Sequence, residues 1–195
     1  MSTICRVYFR KILNYSMLIC ALLFVNSCSF YEKGKLRFTI MREYGKKLDF
    51  SWQGYQVLSD TLIPDYKISK PITIISYIDG DLCPECFSNY LNAAQMYVDQ
   101  FKSDSIQYVC VAYPRPIDEL QYALTLYELN PSDVIVVYDS NNDYLKKNSI
   151  TKLSSGYNAF LIDKNHKIVL LGDPIRNQAM YDLCKSQIES MLCEL

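Results

Sequence analysis

Cys83 and Cys86 are separated by two residues and stand shortly after an apolar, β-branched run. Residues 72–78 predict a strand buried on both faces, and the spacing of apolar residues after Pro84 predicts a helix. Cys83 would begin that helix, where unpaired N–H groups and the helix dipole favour a thiolate by ~0.3–1 kcal/mol. Cys86 lies on the same side of the helix, within reach of a disulfide bond. The pair therefore predicts reversible thiol-disulfide exchange.

The two cysteines are predicted to play different parts in that exchange. Cys83 is the candidate nucleophile that attacks a partner's disulfide, or is attacked by its thiol, and Cys86 resolves the mixed disulfide. Pro84 fits the first helical turn, where its missing N–H costs nothing. Glu85 opposes the thiolate, but an exposed charge contributes only ~0.2–1 kcal/mol. Because these contributions are of similar size, the residues are consistent with either reduction or oxidation of the partner.

Other interpretations of the cysteine pair are a zinc site and a static disulfide. A zinc site needs four ligands, commonly from a second C-x-x-C or a histidine pair, and the single histidine, His166, lies in a predicted turn. We therefore expect no metal and no bound cofactor. A static disulfide would make the chain a binding or scaffold protein that only docks partners, which is the second functional hypothesis.

The remaining cysteines of the predicted domain are Cys110, Cys184 and Cys193. Cys110 alternates with valines on a predicted central strand, as a small buried residue would. Cys184 and Cys193 fall on opposite sides of one predicted helix and should not bond each other.

The composition indicates one globular domain without a nucleic-acid partner. Of the 195 residues, 50% are hydrophobic and 21% are charged, which is enough apolar material for one core. The formal net charge is -1, so the chain lacks the basic surface that nucleic-acid binding requires.

The first residues of the chain, 1–27, predict a lipoprotein signal peptide. Basic residues precede an apolar stretch at 17–25, which is too short for the ~20 residues of a membrane-spanning helix. The segment ends in Val-Asn-Ser-Cys, which resembles the lipobox of bacterial lipoproteins and implies lipidation of Cys28. Residues 28–35 would then form a lipidated tether and residues 36–195 the working domain.

Lipidation at Cys28 implies a location as well as an anchor. The acyl chains would hold the protein to a membrane, and the domain would face the periplasm, where paired cysteines meet oxidants and dedicated electron donors. No acidic residue directly follows Cys28, which by analogy with known sorting signals favours the outer membrane.

Hydrophobic periodicity predicts a mixed α/β sandwich in the rest of the chain. A helix is expected over 36–44, closed by Gly45, and the stretch 55–63 is expected to be a strand or an irregular segment. The later predicted elements are a strand at 72–78, a helix at 84–102, a strand at 105–113, a helix from 117 to before 130, a strand at 133–139, a short helix at 141–148, an antiparallel hairpin formed by NAFLID and KIVLLG, and a final helix.

The order strand, C-x-x-C, helix, strand, with a later hairpin reading FLIDKNHKIV, resembles the thioredoxin fold over about residues 68–192. It is similar to the membrane-anchored, periplasm-facing TlpA-like thiol-disulfide oxidoreductases, which carry a helix-strand insertion like 117–139. The segments GKxLxF, YID, YLKKN and LLGDP resemble thioredoxin-like lipoproteins of gut-type Gram-negative bacteria. The resemblance implies a three-layer α/β/α sandwich with a mixed central sheet, and protein thiols or disulfides as partners.

Three positions depart from the pattern of thioredoxin-fold enzymes. Tyr157 stands where they place a cis-proline opposite the C-x-x-C. Because a non-proline cis bond costs about 2.5–4 kcal/mol, we expect a trans peptide there. Leu82 replaces an aromatic residue before the first cysteine. Tyr77 replaces a buried acid, which leaves Asp79 and Asp81 as the nearby carboxylates.

Overall fold

The computed structural model describes residues 34, 37–51, 54–58, 61–64, 68–79, 82–113, 116–127, 129–150 and 158–195. The chain divides into two compact units, Met1–Arg42 and Glu43–Leu195. Residues 37–43 are helical, and Gly45 has a φ of 76°, which fits the predicted helix closure at this glycine. The predicted signal peptide, Cys28 and Tyr157 lie outside the described residues. No described helix has the length and apolar character needed to cross a membrane.

The described part of the second unit contains one seven-stranded mixed sheet, with strand order β2-β1-β5-β4-β3-β6-β7. The strands are β1 (Tyr55–Leu58), β2 (Thr61–Pro64), β3 (Ile72–Asp79), β4 (Ile106–Tyr113), β5 (Val134–Tyr138), β6 (Ala159–Ile162) and β7 (Ile168–Leu171). This unit also contains the helices α1 (Pro84–Asp99), α2 (Ile117–Thr125), α3 (Asp143–Asn148) and α4 (Gln178–Cys193).

The centre of the sheet is parallel and buried on both faces. β3 pairs in parallel with β4, and β4 pairs in parallel with β5. β6 runs antiparallel to β3 on its other side, and β7 forms the predicted hairpin with β6. The nearly continuous apolar sequences of β3 and β4 follow from this double burial.

Helices cover both faces of the sheet. Ile74 and Cys110 pack on one face with Phe87 of α1, Leu120 of α2 and Ile188 of α4 in a single apolar cluster. On the other face, Tyr77 of β3 stacks with Tyr144 of α3, with ring centroids 6.3 Å apart. The predicted α/β sandwich with a mixed central sheet is therefore confirmed.

The stretch at 55–63 contains more structure than the sequence predicted. Instead of one strand or an irregular segment, it contributes the hairpin β1–β2, and β1 pairs antiparallel with β5. The two strands are separated by Ser59 and Asp60, residue types that favour tight turns. The hairpin extends the sheet beyond β5 and leaves the centre of the sheet unchanged.

Candidate active site

Cys83 and Cys86 form a disulfide at the start of α1, with Cα atoms 5.0 Å apart. Cys83 is the N-cap residue in an extended conformation (φ −62°, ψ 155°), and its Sγ accepts a hydrogen bond of 3.1 Å from the backbone N–H of Cys86. Both cysteines are exposed. The predicted cysteine pair is thus assembled at the surface of the domain.

The disulfide is positioned by the packing of α1 on the sheet. Phe87, directly after the disulfide, and Leu91, four residues further on, are fully buried. The N–H of Phe87 donates to the carbonyl of Cys83 over 2.9 Å. Leu82, which precedes the pair, packs against the core as a partly buried residue. The apolar side chains therefore hold the first turn of the helix while its cysteines stay in solvent.

The two residues between the cysteines occupy their predicted places. Pro84 is the first residue of α1, and Glu85 is the acidic residue of the first turn. Glu85 is exposed, so water screens its charge from the neighbouring sulfur atoms.

Tyr77, at the position of the missing buried acid, is held on the face of the sheet opposite α1. Its side chain is 5% exposed, stacks on Tyr144, and donates a hydrogen bond of 3.3 Å to Oδ1 of Asn142. Its backbone N–H donates to the carbonyl of Asn158 over 2.8 Å. Asn158, which follows Tyr157 in the sequence, therefore lies beside Tyr77 of β3, the residue six positions before Cys83. Asp81 lies outside the described residues.

A buried polar cluster beneath α1 was not predicted from the sequence. Tyr90 donates a hydrogen bond of 3.0 Å to Oδ2 of Asp173, and the hydroxyls of Tyr90 and Tyr108 are 2.7 Å apart. Because the single Tyr90 proton goes to the carboxylate, Tyr108 must donate to Tyr90. Arg176 approaches the same Asp173 oxygen at 3.5 Å.

Burial governs the ionisation of this cluster. It raises the pKa of Asp173 above its usual 3.8, opposed by hydrogen bonds from the Ile175 N–H and Tyr90 and by the Arg176 charge. Burial also raises the pKa of both tyrosines well above 10. The sequence did contain a signal for the cluster, since a buried tyrosine on a helix needs a partner for its hydroxyl.

Buried cysteines differ sharply from the exposed pair. Cys110 and Cys184 are free and buried, as their positions predicted, whereas Cys193 is free and exposed. Burial raises the pKa of the Cys110 thiol to about 12 and that of Cys184 to about 11. Ser76 donates a hydrogen bond of 3.4 Å to Sγ of Cys110. These thiols are protonated at neutral pH and shielded from partners.

Among the residues with described positions, no group of three or more His, Cys, Asp and Glu side chains could hold a metal ion. His166 lies in the β6–β7 turn with a φ of 62°, in edge contact with Phe50 at 5.0 Å.

No protein-family model and no curated protein sequence matches the chain. Solved structures do match. A putative thiol:disulfide interchange protein DsbE from Chlorobium tepidum is 15% identical with a TM-score of 0.53, covering 75% of this chain and 97% of that one. The thioredoxin domain of a thiol-disulfide oxidoreductase from Bacteroides vulgatus is 14% identical with a TM-score of 0.52, covering 73% and 96%.

A thioredoxin-like protein from Porphyromonas gingivalis is 16% identical with a TM-score of 0.52, covering 77% of this chain and 94% of that one. These likenesses extend over nearly the whole length of the matched chains. The chain has the thioredoxin fold, with its disulfide at the first turn of the helix that follows the central strand.

Proposed function

We propose that this protein is a thiol-disulfide oxidoreductase that exchanges electrons with protein thiols or disulfides through Cys83 and Cys86. The observation that carries the proposal is the exposed disulfide at the N-terminus of α1, where the helix dipole and unpaired N–H groups stabilise a thiolate. Two of the similar structures belong to a putative thiol:disulfide interchange protein and to a thiol-disulfide oxidoreductase, which agrees with the proposal. The reaction uses no bound cofactor, because the dithiol itself carries both electrons.

Exchange by the dithiol form proceeds in two steps. The Cys83 thiolate attacks one sulfur of the partner's disulfide, which breaks, and the partner's other sulfur leaves as a thiolate and takes a proton from water. Cys86 then loses its proton to solvent and attacks Sγ of Cys83, so that the mixed disulfide breaks and the partner departs as a dithiol. Two electrons pass to the partner, and the reverse sequence oxidises a partner dithiol.

We further propose that the domain is held at a membrane by lipidation of Cys28 and faces the periplasm, with the outer membrane as its location. This part rests on the sequence of residues 1–28, in which basic residues, a short apolar stretch and a lipobox-like end occur in order. Incorporation of labelled palmitate into the full chain, and its absence from a Cys28→Ser variant, tests the anchor. Unlabelled wild-type protein would contradict it.

Reduction of insulin by the purified full chain, with dithiothreitol as the electron source, tests the activity. Cys83→Ser should reduce the rate to that of dithiothreitol alone. The Cys86→Ser variant, reduced first and mixed with insulin after dithiothreitol has been removed, should accumulate a disulfide-linked complex. Cys193→Ser is the matched control, because it removes an exposed thiol distant in sequence from the pair, and it should keep the wild-type rate. Wild-type protein without activity would instead identify a docking protein with an inert disulfide.

A further inference from the structure

An apolar groove lies between α1 and α4, separate from the disulfide. It has a volume of about 260 Å³. It is lined by Ala93, Met96, Tyr97, Pro174, Ile175 and Tyr181. Met96 is 67% exposed, so this surface places an apolar side chain in water at the edge of a concave site. Neither the core nor the exchange chemistry accounts for it.

The walls of the groove are fixed by polar and aromatic contacts. Tyr97 and Tyr181 pack edge to face with ring centroids 4.9 Å apart, and the Tyr181 hydroxyl donates to Oε1 of Gln100 over 2.7 Å. Asp173 accepts hydrogen bonds from the Ile175 N–H at 2.9 Å and from Tyr90 at 3.0 Å. The hydrogen bond from Tyr90 to Asp173 thus connects α1, which forms one wall of the groove, to the turn after β7, which contributes to the other wall. An occupant would meet a preformed site, which lowers the entropy cost of binding.

The groove is aligned with the disulfide along α1. Cys86 marks the position of the exchange site on α1, because its sulfur is bonded to that of Cys83, the candidate nucleophile. Ala93 follows Cys86 by seven residues, which is about two helical turns, so these two residues lie on nearly the same line along the helix. At 1.5 Å per residue they are separated by roughly 10 Å along the axis. A protein segment whose cysteine reacts at the disulfide and which runs along this side of α1 would therefore reach the groove.

The volume of the groove decides between kinds of occupant. Sites for drug-sized molecules enclose roughly 300–1,000 Å³, and this groove is smaller and open, which suits one apolar side chain. An extended chain advances about 3.3 Å per residue, so a span of roughly 10 Å corresponds to three residues. The side chain that enters the groove would stand three positions from the reacting cysteine.

We propose that the groove binds a large apolar side chain located three residues from the reacting cysteine of an extended protein partner. The inference rests on the proposed exchange function and adds a specificity determinant to it. Binding at the groove holds the partner's sulfur next to the disulfide, so it raises the rate of exchange without taking part in the chemistry.

Symmetric disulfide-linked peptide homodimers test the proposal, because attack on either sulfur gives the same products. Three peptides are compared: one with Phe three residues after the cysteine, one with Phe three residues before it, and one with Ser at both positions. The pre-reduced full chain is mixed with each, and peptide thiols are counted in a single turnover. We expect one Phe peptide to react about fivefold to tenfold faster than the Ser peptide.

Variants at the groove complete the test. Met96→Glu, at an exposed position, should reduce the rate with the favoured Phe peptide to that of the Ser peptide and leave the Ser rate unchanged. Ala93→Phe should do the same by filling the groove without adding charge. Leu183→Glu is the matched control, since Leu183 is 51% exposed on α4 and does not line the groove, and it should change neither rate.

The outcomes separate the two proposals. Equal rates with all three peptides, or a Phe preference that survives both groove variants, would overturn the groove while leaving the exchange function in place. A reduced protein that reacts with none of the peptides would overturn the exchange function and the groove with it.

Discussion

Two regions of this molecule contain cysteine sulfur atoms next to α1, and they differ in almost every physical respect. At the N-terminus of the helix, Cys83 and Cys86 are exposed and bonded. Beneath the helix, Cys110 lies on β4 with Ser76 as its partner, close to the Asp173 cluster, and burial raises the pKa of its thiol to about 12. The helix α1 therefore has two exposed, bonded cysteines at its N-terminus and a buried, free cysteine beneath it.

The difference teaches that the stability of a cysteine thiolate in this fold depends on its exposure to water and on its position relative to a helix N-terminus. A thiolate at the helix start is stabilised by N–H groups and water, whereas a thiolate on the central strand would lose its hydration without gaining a charge partner. The buried cluster of Tyr90, Tyr108 and Asp173 stabilises the packing of α1, because the hydrogen bond from Tyr90 to Asp173 joins this helix to the turn after β7. The following predictions test this division.

The largest expected effect is a contrast in alkylation rates. In the fully reduced native protein, the thiolate fraction of Cys110 should be about 1,000-fold below that of an ordinary thiol, because its pKa is about 12 instead of 9. Cys184, with a pKa of about 11, should be depressed about 100-fold. Mass spectrometry after timed iodoacetamide labelling measures these rates, with exposed Cys193 as the internal reference. Rapid labelling of Cys110 in the native protein would contradict this distinction between exposed and buried cysteines.

A second prediction compares two tyrosine hydroxyls. Tyr90→Phe should lower the free energy of unfolding by about 1–3 kcal/mol, because it removes one hydrogen bond to the buried Asp173 carboxylate and the acceptor of the Tyr108 hydroxyl. Tyr127→Phe removes a hydroxyl that bonds Asn89 at the surface, and its effect should remain within ~0.5 kcal/mol. Urea unfolding of both variants measures the difference. Equal decreases in the free energy of unfolding for the two variants would mean that the cluster does not stabilise the packing of α1.

The free energy of unfolding should depend on pH because Asp173 is buried in the folded chain. The pKa of Asp173 is higher in the folded than in the unfolded chain, where it is near 3.8, so the folded state binds more protons in the interval above 3.8. The stability contributed by this proton is fully present below pH 3.8 and is lost as the pH rises through the folded pKa.

Urea unfolding of the wild type and of Asp173→Asn, from pH 3.5 upward, tests this sign. The wild type should lose stability relative to the variant as the pH rises, because the variant has no proton to release. Parallel pH profiles for the two proteins would show that Asp173 titrates alike in the folded and unfolded chains.

Much of the fold was predictable because local signals and tertiary packing agree along the centre of the chain. The apolar run of β3, the helical spacing after Pro84 and the turn between β6 and β7 each determined an element correctly. The hairpin β1–β2 was missed because its strands are only four residues long. Such strands depend on pairing with β5, which lies far away in the sequence.

The candidate site was predictable to the extent that it is local. Two cysteines and the residues between them define the disulfide, and the helix start follows from Pro84. The Asp173 cluster joins three separate elements, and its members come together only when α1 and the turn after β7 pack on β4. No hydrophobic pattern within a single segment predicts that these three side chains come together. A buried aspartate in a turn sequence is consequently indistinguishable from an exposed one until the packing is known.

The smallest expected effect concerns Glu85, the exposed carboxylate between the two cysteines. Glu85→Gln removes a negative charge that opposes the thiolate, so the dithiol form gains stability and the reduction potential should rise. Because the charge is exposed, the rise should be no more than ~20 mV and should shrink as salt is added. Equilibration against glutathione at two ionic strengths measures it. Glu189→Gln, at an exposed position near the far end of α4, should leave the potential unchanged, and a rise that persists in high salt would show that water does not screen the disulfide as its exposure requires.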